Sequence, residues 1–389
     1  MHQLRTLRSI RSLRGKRVLV RCDLNVSTSA SGKLTSTDLW KLRGVLPTLA
    51  YLRRKGARTI AVSHRGRPHG HDHDLSMRPV VQKLAELMKT SVDFWHGSIE
   101  DYEARSRSLK NGRIACLENI RFFKEENAND PIFGKKLAAL CDIYVDDAFG
   151  NVHRQHASMV AVTRYHPAYA GFLMEYEVAH LAGLLERATG PIVAIIGGNK
   201  ISSKIRLIKK LLRKVDWILL GGALANTVLA AMDYKIGRSV YEEDMRTWSR
   251  SILHNKLKVP LDARVAHTMQ SRTSRIASIG AVHNKDMILD IGPETVDFYG
   301  QIIAHAKTVI WNGPLGYFED PRFARGTKDL VEILTKAKAK SYVGGGETVK
   351  AVLAAGAEHK VHFISSGGGA MLALLEGRPL PALRAMYKR

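Results

Sequence analysis

Short apolar runs alternate with amphipathic stretches along most of this chain. Runs that resemble buried strands lie at 18–20, 59–62, 143–145, 192–196, 217–220, 308–311 and 362–364. Between many of them lie segments with apolar residues at helical spacing, such as 78–88 and 204–214. Strands that alternate with helices form parallel sheets covered by helices on both faces. The pattern therefore predicts an α/β fold of doubly wound, Rossmann-like parallel sheets.

Basic and imidazole side chains follow the predicted strands of the first half. They are Arg21, His64, Arg67, Arg121, His153, Arg154 and His156. A guanidinium group matches carboxylate and phosphate geometry with two parallel hydrogen bonds. Ligands of open α/β sheets bind beyond the carboxyl ends of the strands. The first half is therefore predicted to bind a small, strongly anionic molecule.

Glycines take the corresponding places in the second half, at 197–198, 221–222, 313 with 316, 344–346 and 367–369. Glycine lets a ligand approach the backbone, and the free N–H groups of a following helix attract phosphate. A tight turn in a doubly wound sheet would explain any one of these groups. Several of them within one half predict a nucleotide site.

The length of 389 residues suggests two domains, because a domain usually holds about 100–200 residues. The change from basic to glycine-rich strand ends places the boundary near 169–171. We expect a small anion to bind a domain over 1–171 and a nucleotide to bind a domain over 172–370. Stretch 174–187 has helical spacing and is expected to join the domains as one hinge helix.

The formal net charge is +24, and much of the excess lies in the first 60 residues. Such charge attracts nucleic acid, acidic membranes or phosphorylated metabolites, and a solvated surface without a partner is the alternative. No run of about 18 uncharged apolar residues is present, so we expect no membrane span. The cysteines, Cys22, Cys116 and Cys141, are far apart, which fits a reducing, cytoplasmic location.

Nine motifs resemble, in order, those of the phosphoglycerate kinase family. They are RVLVRCDLN at 17–25, SHRGRP at 63–68, LENIRF at 117–122, DAFG at 147–150 with HRQH at 153–156, GFLME at 171–175, GGNK at 197–200, WNGPLG at 311–316, GGGET at 344–348 and GGG at 367–369. The resemblance covers about residues 4–386. It implies two doubly wound domains, with the last residues, about 371–389, returning to the first.

The resemblance also implies the reaction. A phosphoryl group would pass reversibly from 1,3-bisphosphoglycerate to ADP with Mg²⁺, giving 3-phosphoglycerate and ATP, as in glycolysis and gluconeogenesis. This chemistry needs alignment and charge neutralisation in a dry, closed cleft rather than a nucleophilic side chain. The protein is expected to be a monomer with no membrane partner and no specific nucleic-acid partner.

The resemblance assigns the acid substrate to the first domain. Asp23 and Asn25 resemble the pair that hydrogen-bonds the glycerate hydroxyl and carboxylate, and His64 with three arginines resembles the basic patch that clamps the phosphoglycerate. The implied substrate set is Arg21, Asp23, Leu24, Asn25, Lys41, His64, Arg65, Gly66, Arg67, Arg121 and Arg154. The implied catalytic residues are Lys41, Lys200 and Arg154.

The nucleotide is assigned to the second domain. Lys200 resembles the lysine that follows the transferring phosphoryl group, Lys204 a lysine on the nucleotide phosphates, and Glu319 the carboxylate that holds the ribose hydroxyls. The implied nucleotide set is Gly198, Lys200, Lys204, Gly222, Gly292, Asn312, Glu319, Gly345, Gly346, Glu347 and Thr348, with Glu347 as the Mg²⁺ ligand.

Several positions depart from the family pattern, and Lys41 and Glu347 bear most directly on turnover. The others are Asn199, Ser203, Asp146 and Arg65. Lys41 stands where the family has an arginine that contacts the substrate, and Arg43 is an alternative source of that charge. Glu347 stands where the family has an aspartate that binds magnesium. A lysine lacks the planar fork, and Mg²⁺ demands near-ideal geometry. These departures keep a second hypothesis open, a weakly active kinase-like protein that binds nucleotide or polyanions.

Overall fold

The computed structural model describes residues 3–27 and 34–388. Within them the chain forms two compact units. The first holds the residues up to Ala182 together with those from Gly377 onward, and the second holds Gly183–Glu376. None of the helices in these described ranges combines the length and apolar character that crossing a bilayer requires.

The first unit is built on a six-stranded, all-parallel sheet with the strand order β3-β4-β2-β1-β5-β6. Its strands are β1 Arg17–Cys22, β2 Arg58–Val62, β3 Asp93–Trp95, β4 Ile114–Leu117, β5 Ile143–Asp147 and β6 Ala168–Ala170. Its helices are α1 Ser36–Arg54, α2 Arg78–Met88, α3 Ile99–Ser108, α4 Lys124–Asn127, α5 Pro131–Ala139, α6 Phe172–Leu181 and, near the C-terminus, α15 Pro381–Met386.

The central strands are apolar on both faces because helices cover both. Val18 and Val20 of β1 are fully buried in one cluster with Leu42 and Leu49 of α1. Each buried aliphatic side chain of this size contributes about 1.5–3 kcal/mol relative to its exposed state. The predicted doubly wound sheet is confirmed in this unit.

The second unit holds another six-stranded parallel sheet, in the order β15-β14-β13-β7-β8-β9, and a three-stranded antiparallel sheet, β11-β10-β12. The strands are β7 Ile192–Ile196, β8 Trp217–Leu220, β9 Leu257–Lys258, β10 Asp262–Ala266, β11 Arg275–Ser278, β12 Met287–Ile291, β13 Thr308–Asn312, β14 Lys340–Gly344 and β15 Phe363–Ile364. The helices are α7 Leu184–Arg187, α8 Ile205–Lys214, α9 Gly222–Ala231, α10 Arg246–Ser251, α11 Pro293–Ala304, α12 Arg325–Lys336, α13 Gly346–Ala354 and α14 Gly368–Glu376.

The C-terminal segment returns to the first unit, as the resemblance implies. Leu4 and Tyr387 form an antiparallel bridge, and the backbone N–H of Arg5 donates to the carbonyl of Met386 at 2.7 Å. Arg5 in turn accepts from the N–H of Ala170 in β6 at 2.8 Å. The two ends of the chain are therefore tied to one edge of the same sheet.

The expectation of one helix over 174–187 is wrong. The structure has two helices, α6 and α7, and between them Ala182 is extended while Gly183 has a left-handed φ of 67°. Glycine adopts this conformation without the steric penalty that other residues incur. The backbone N–H of Phe172 donates to Thr48 Oγ1 at 2.9 Å, so α6 packs within the first unit, which extends beyond residue 171.

Candidate active site

A cationic cluster begins at the carboxyl end of β1, with the fully buried Arg21. Its guanidinium donates to Ser158 Oγ at 2.9 Å, to the carbonyl of Cys22, and to His64 Nδ1 at 3.0 Å. Burial and the charge of Arg21 hold the pKa of His64 well below its usual range. Since arginine can only donate, His64 Nδ1 accepts and the ring proton lies on Nε2.

Further cations surround this pair. Burial and the charges of Arg21, Arg154 and Arg67 lower the pKa of Arg121 to about 10. Burial and neighbouring arginines likewise lower the pKa of His156 to about 4. Arg121 Nε is buried and has no hydrogen-bond partner. An excess of positive charge with an unpartnered buried donor is an arrangement that an anion would stabilise.

Glu126 is an acidic group within this cluster, and it is fully buried. Its carboxylate accepts from Ser158 Oγ at 2.6 Å and from Ser158 N at 2.8 Å. Ser158 also holds Arg21, so the carboxylate orients the arginine through the serine. Burial raises the pKa of Glu126. Burial also raises the pKa of Asp146 to about 7, although the nearby charge of Arg21 opposes that shift.

The loop after β1 is pinned to the loop after β2. Asn25 Oδ1 accepts from the N–H of Gly66 at 2.9 Å, and Ser63 Oγ accepts from the N–H of Leu24 at 3.0 Å. The carbonyl of Gly66 accepts from Arg121 Nη1 at 2.7 Å. These bonds bring the loop that carries Asp23 and Asn25 to the same edge of the sheet as the cations.

Two of the predicted substrate residues, Leu24 and Arg65, have side chains that are held by contacts within the protein. The Leu24 side chain is fully buried in the core cluster of the first unit, so only its backbone is free to meet a ligand. Arg65 is 5% exposed, and its guanidinium donates to the carbonyls of Val26 and Ser76 at 3.2 and 2.9 Å. These positions hold the two loops in place.

Lys41 is half-buried on α1, and its charge contributes to the lowered pKa of His64. Arg43 is exposed on the same helix. Two residues along an α-helix are separated by about 200° around its axis, so their side chains point in opposite directions. Of these two cations, the structure therefore directs Lys41 toward the cluster.

The second unit has a cavity of about 370 Å³ beyond the carboxyl ends of β7 and β8. Gly198, Lys200, Gly222 and Glu319 line it, as the nucleotide assignment requires. Its walls also include apolar side chains that sequence reasoning missed, namely Val240, Met269, Met287, Leu289 and Leu315. Its volume lies in the range of small-molecule sites, and its apolar walls suit a flat heterocycle.

Glycine is required where the turns of this cavity meet. Gly222 has a φ of 67°, and a Cβ there would lie 2.8 Å from the carbonyl oxygen of Gly198. Any side chain would push the two turns apart. The exposed carboxylate of Glu319 stands beside this cavity and is available to hydroxyl groups of a ligand.

A second set of predicted nucleotide residues meets where α13 and α14 begin. Thr348 Oγ1 accepts from the N–H of Gly313 at 2.9 Å, and a Cβ on Gly368 would lie 2.5 Å from Gly345 Cα. A Cβ on Gly346 would meet nothing within 4 Å. Two helix N-termini beside open space form an arrangement that attracts phosphate.

Lys204 is 8% exposed and lies under this region. Its ammonium donates to the carbonyls of Gly197 and Asn312 and to Asn312 Oδ1, at 2.7, 3.2 and 3.0 Å. Burial lowers its pKa to about 8. The lysine thus orients Asn312, whose Nδ2 is buried without a partner and lies beside Gly345.

Gly292 is a predicted nucleotide residue that belongs neither to the lining of the cavity nor to the set at the starts of α13 and α14. It precedes α11, and a Cβ there would lie 2.2 Å from the carboxylate of Asp262. That carboxylate accepts from the N–H groups of Glu294 and Thr295. Gly292 leaves room for this helix cap.

The first α/β unit carries the cationic cluster, and the second carries a nucleotide-sized cavity. This combination is typical of enzymes that transfer a phosphoryl group to or from a small anion. A family model for phosphoglycerate kinase matches residues 7–378. The chain belongs to the phosphoglycerate kinase family. Its members are phosphotransferases whose acceptor is a carboxyl group.

Individual relatives agree with this membership. The chain is 43% identical over 386 residues to a phosphoglycerate kinase of Dictyoglomus turgidum, covering 97% of each. It is 42% identical to a cytosolic phosphoglycerate kinase of Triticum aestivum, covering 96% of each. The solved phosphoglycerate kinase of Coxiella burnetii superposes with a TM-score of 0.85 at 34% identity, covering 99% of each chain. The solved phosphoglycerate kinase of Pyrococcus horikoshii superposes with a TM-score of 0.88 at 30% identity, covering 98% of each chain.

Proposed function

We propose that this protein catalyses Mg²⁺-dependent phosphoryl transfer between 1,3-bisphosphoglycerate and ADP, with the acid on the first unit and the nucleotide on the second. The observation that carries this division is the cationic cluster at the carboxyl edge of the first sheet, where Arg121 Nε is buried without a hydrogen-bond partner. It has the charge for a carboxylate and a phosphate at once. The protein acts in glycolysis, in the cytoplasm and as a monomer.

The residues of the first unit bind and orient the acid. Arg154, Arg121 and Arg67 neutralise the phosphate that is not transferred. The Nε2–H group of His64 donates a hydrogen bond to an anionic oxygen. Asp23 accepts from the glycerate hydroxyl. Lys41 supplies charge beside the carboxyl oxygen that gives or receives the phosphoryl group.

The residues of the second unit bind the nucleotide. The apolar walls of the cavity surround the adenine, and Glu319 accepts from the ribose hydroxyls. Asn312 Nδ2 and the N–H groups at the starts of α13 and α14 bind the phosphates. Lys200 is exposed at the rim of the cavity, where its charge can follow the phosphoryl group.

Glu347 fits the role of magnesium ligand. Its Oε2 is buried without a hydrogen-bond partner in the first turn of α13, and Lys350 Nζ lies 3.8 Å away as an ion-pair partner. Within residues 3–27 and 34–388, no three His, Cys, Asp or Glu side chains are grouped to hold a metal ion. This is expected of Mg²⁺, which is usually held by one or two carboxylates, nucleotide phosphates and water. When bound, Mg²⁺ neutralises phosphate charge during transfer.

Replacing Glu347 by aspartate should preserve or raise Mg²⁺-dependent turnover. The charge is unchanged, and the shorter side chain restores the residue that the family carries. Steady-state kinetics over a range of Mg²⁺ concentrations measure the effect, with Glu347→Gln as the variant that removes the charge. A tenfold or larger drop in Glu347→Asp, with the fold intact, would mean that the backbone has adjusted to glutamate.

ADP binding should take up protons at pH 8.5, where the ADP phosphates are already fully ionised. The pKa of Lys204 is about 8 in the free protein against an ordinary 10.5. Above pH 8 the free amine is therefore mostly neutral, and the nucleotide phosphates favour its protonated form. Calorimetry in buffers of different ionisation enthalpy counts these protons.

The control is Lys204→Arg, since arginine remains charged throughout this range. That variant should bind ADP without taking up protons at pH 8.5. Uptake that persists in Lys204→Arg would assign the titration to another group.

The lowered pKa of Lys204 also makes folding stability rise with pH between about 8 and 10.5, because the unfolded chain binds the proton more tightly there.

The activity is tested in the direction of acyl phosphate synthesis. ATP and 3-phosphoglycerate are supplied, and the product is reduced by glyceraldehyde-3-phosphate dehydrogenase with oxidation of NADH. We expect turnover that saturates in both substrates and is lost when Mg²⁺ is chelated. Tight ADP binding without turnover would instead support a kinase-like binding protein.

A further inference from the structure

Three turns lie together at the amino edge of the first sheet, where β1, β2 and β4 begin. The N–H of Gly15 donates to the carbonyl of Gly56 at 3.0 Å, and the N–H of Gly112 donates to the carbonyl of Ala57 at 2.9 Å. Arg58 Nε donates to the carbonyl of Gly15 at 2.7 Å. We call these turns the basic edge; they comprise residues 13–17, 53–58 and 105–113.

The basic edge contains no aspartate or glutamate. Carboxylates from elsewhere pair with Arg17, Arg107 and Arg113, at 2.7, 2.6 and 2.6 Å. The remaining cations form no ion pair with any described residue, and all except Arg58 are exposed. They are Arg14, Lys16, Arg53, Arg54, Lys55, Arg58, Arg105 and Lys110.

Substrate binding does not account for this charge. All six strands of the sheet are parallel, and the cationic cluster with Arg21 and His64 lies at their carboxyl ends. The basic edge lies at the amino ends of the same strands. A substrate held at the carboxyl edge would be separated from it by the length of the strands.

We propose that the basic edge binds the phosphodiester backbone of nucleic acid without sequence preference. Exposed, unpaired arginines and lysines neutralise regularly spaced phosphates and displace their counterions. An acidic membrane is the competing polyanion. Peripheral membrane surfaces usually add apolar side chains that enter the lipid. None of the large apolar side chains exposed in the described residues lies on the basic edge.

The test is fluorescence anisotropy with a labelled, mixed-sequence oligonucleotide, titrated over a range of salt concentrations. The variant Lys16→Gln/Arg54→Gln/Lys110→Gln removes one exposed cation from each turn. The control Lys336→Gln/Lys338→Gln/Lys340→Gln removes three exposed lysines from the second unit and changes the net charge equally. Kinase activity should be unchanged in both, because neither set touches the cationic cluster or the cavity.

We expect the parent to bind with a steep salt dependence, and the basic-edge variant to lose at least tenfold in affinity. Its slope of log K against log salt should fall by about 2, since each contact to a single strand contributes about 0.7. The control should stay within about twofold of the parent. Several results would overturn the proposal: no binding by the parent, an equal loss in the control, displacement by 3-phosphoglycerate, or binding to phosphatidylserine vesicles in place of the oligonucleotide.

Discussion

Lys41→Ala should lower turnover at least tenfold while leaving ADP affinity almost unchanged. The lysine is half-buried on α1 and lies near enough to His64 to affect its pKa, so its charge acts within the cationic cluster. Charge neutralisation dominates phosphoryl transfer, and tenfold in rate corresponds to about 1.4 kcal/mol. Steady-state kinetics and ADP calorimetry on the variant measure both quantities.

Two companion variants sharpen this prediction. Lys41→Arg should equal or exceed the parent, because a guanidinium restores the two parallel hydrogen bonds that a lysine cannot make. Arg43→Ala should have little effect, since it removes an exposed charge from another face of the same helix. A damaging Arg43→Ala beside a harmless Lys41→Ala would show that the roles of these two residues are reversed.

Arg154→Ala should weaken 3-phosphoglycerate binding by about ten- to one-hundred-fold and leave ADP binding unchanged. A charge-assisted hydrogen bond to an anion is worth about 1.5–3 kcal/mol. Arg154 is exposed, and its guanidinium has no hydrogen-bond or ion-pair partner among the described residues, so its loss should not disturb the fold. Calorimetry with each ligand gives the two affinities.

A second measurement separates electrostatics from folding. Burial and the charge of Arg154 lower the pKa of His153 to about 4, and burial with the charges of Arg121, Arg21 and Arg154 lowers that of His156 to about 4. Both pKa values should therefore rise in Arg154→Ala when followed by NMR. Arg164→Ala, which removes an exposed arginine just before β6, is the matched control and should change neither. Equal weakening of both ligands by Arg154→Ala would indicate a folding defect.

The two parallel sheets could be predicted because their strands are continuous apolar runs. The antiparallel sheet β11-β10-β12 was not predicted. Arg264 and Arg275 interrupt the apolar pattern of β10 and β11, and the apolar run at 287–289 in β12 does not by itself indicate a partner strand. In β11, Arg275 and Ile276 are both exposed, so alternation between buried and exposed residues is lost. This sheet brings Leu289 to the nucleotide cavity.

The position of a candidate site residue could be predicted where it lies in a recognisable motif or beside one. Arg121 lies in the cationic cluster and Glu319 beside the cavity, as the sequence predicts. The position could not be predicted where the side chain's direction depends on distant contacts. Arg65 stands within a basic motif, yet its guanidinium bonds to the carbonyls of Val26 and Ser76. Val240 and Met269 come from separate loops, and only the fold places them on one wall.

Formation of the acyl phosphate is the most direct test that this protein transfers a phosphoryl group between an acid bound to one unit and a nucleotide bound to the other. Enzyme in excess is mixed with Mg²⁺, 3-phosphoglycerate and ATP labelled in its terminal phosphate, and the acyl product is trapped with hydroxylamine. We expect formation of the hydroxamate of 3-phosphoglycerate together with ADP, and no hydroxamate when either 3-phosphoglycerate or Mg²⁺ is left out. Hydroxylamine displaces the labelled phosphate from the acyl product, so labelled inorganic phosphate should accompany the hydroxamate. Labelled inorganic phosphate released without hydroxamate, or label that remains entirely in ATP, would contradict the proposed function.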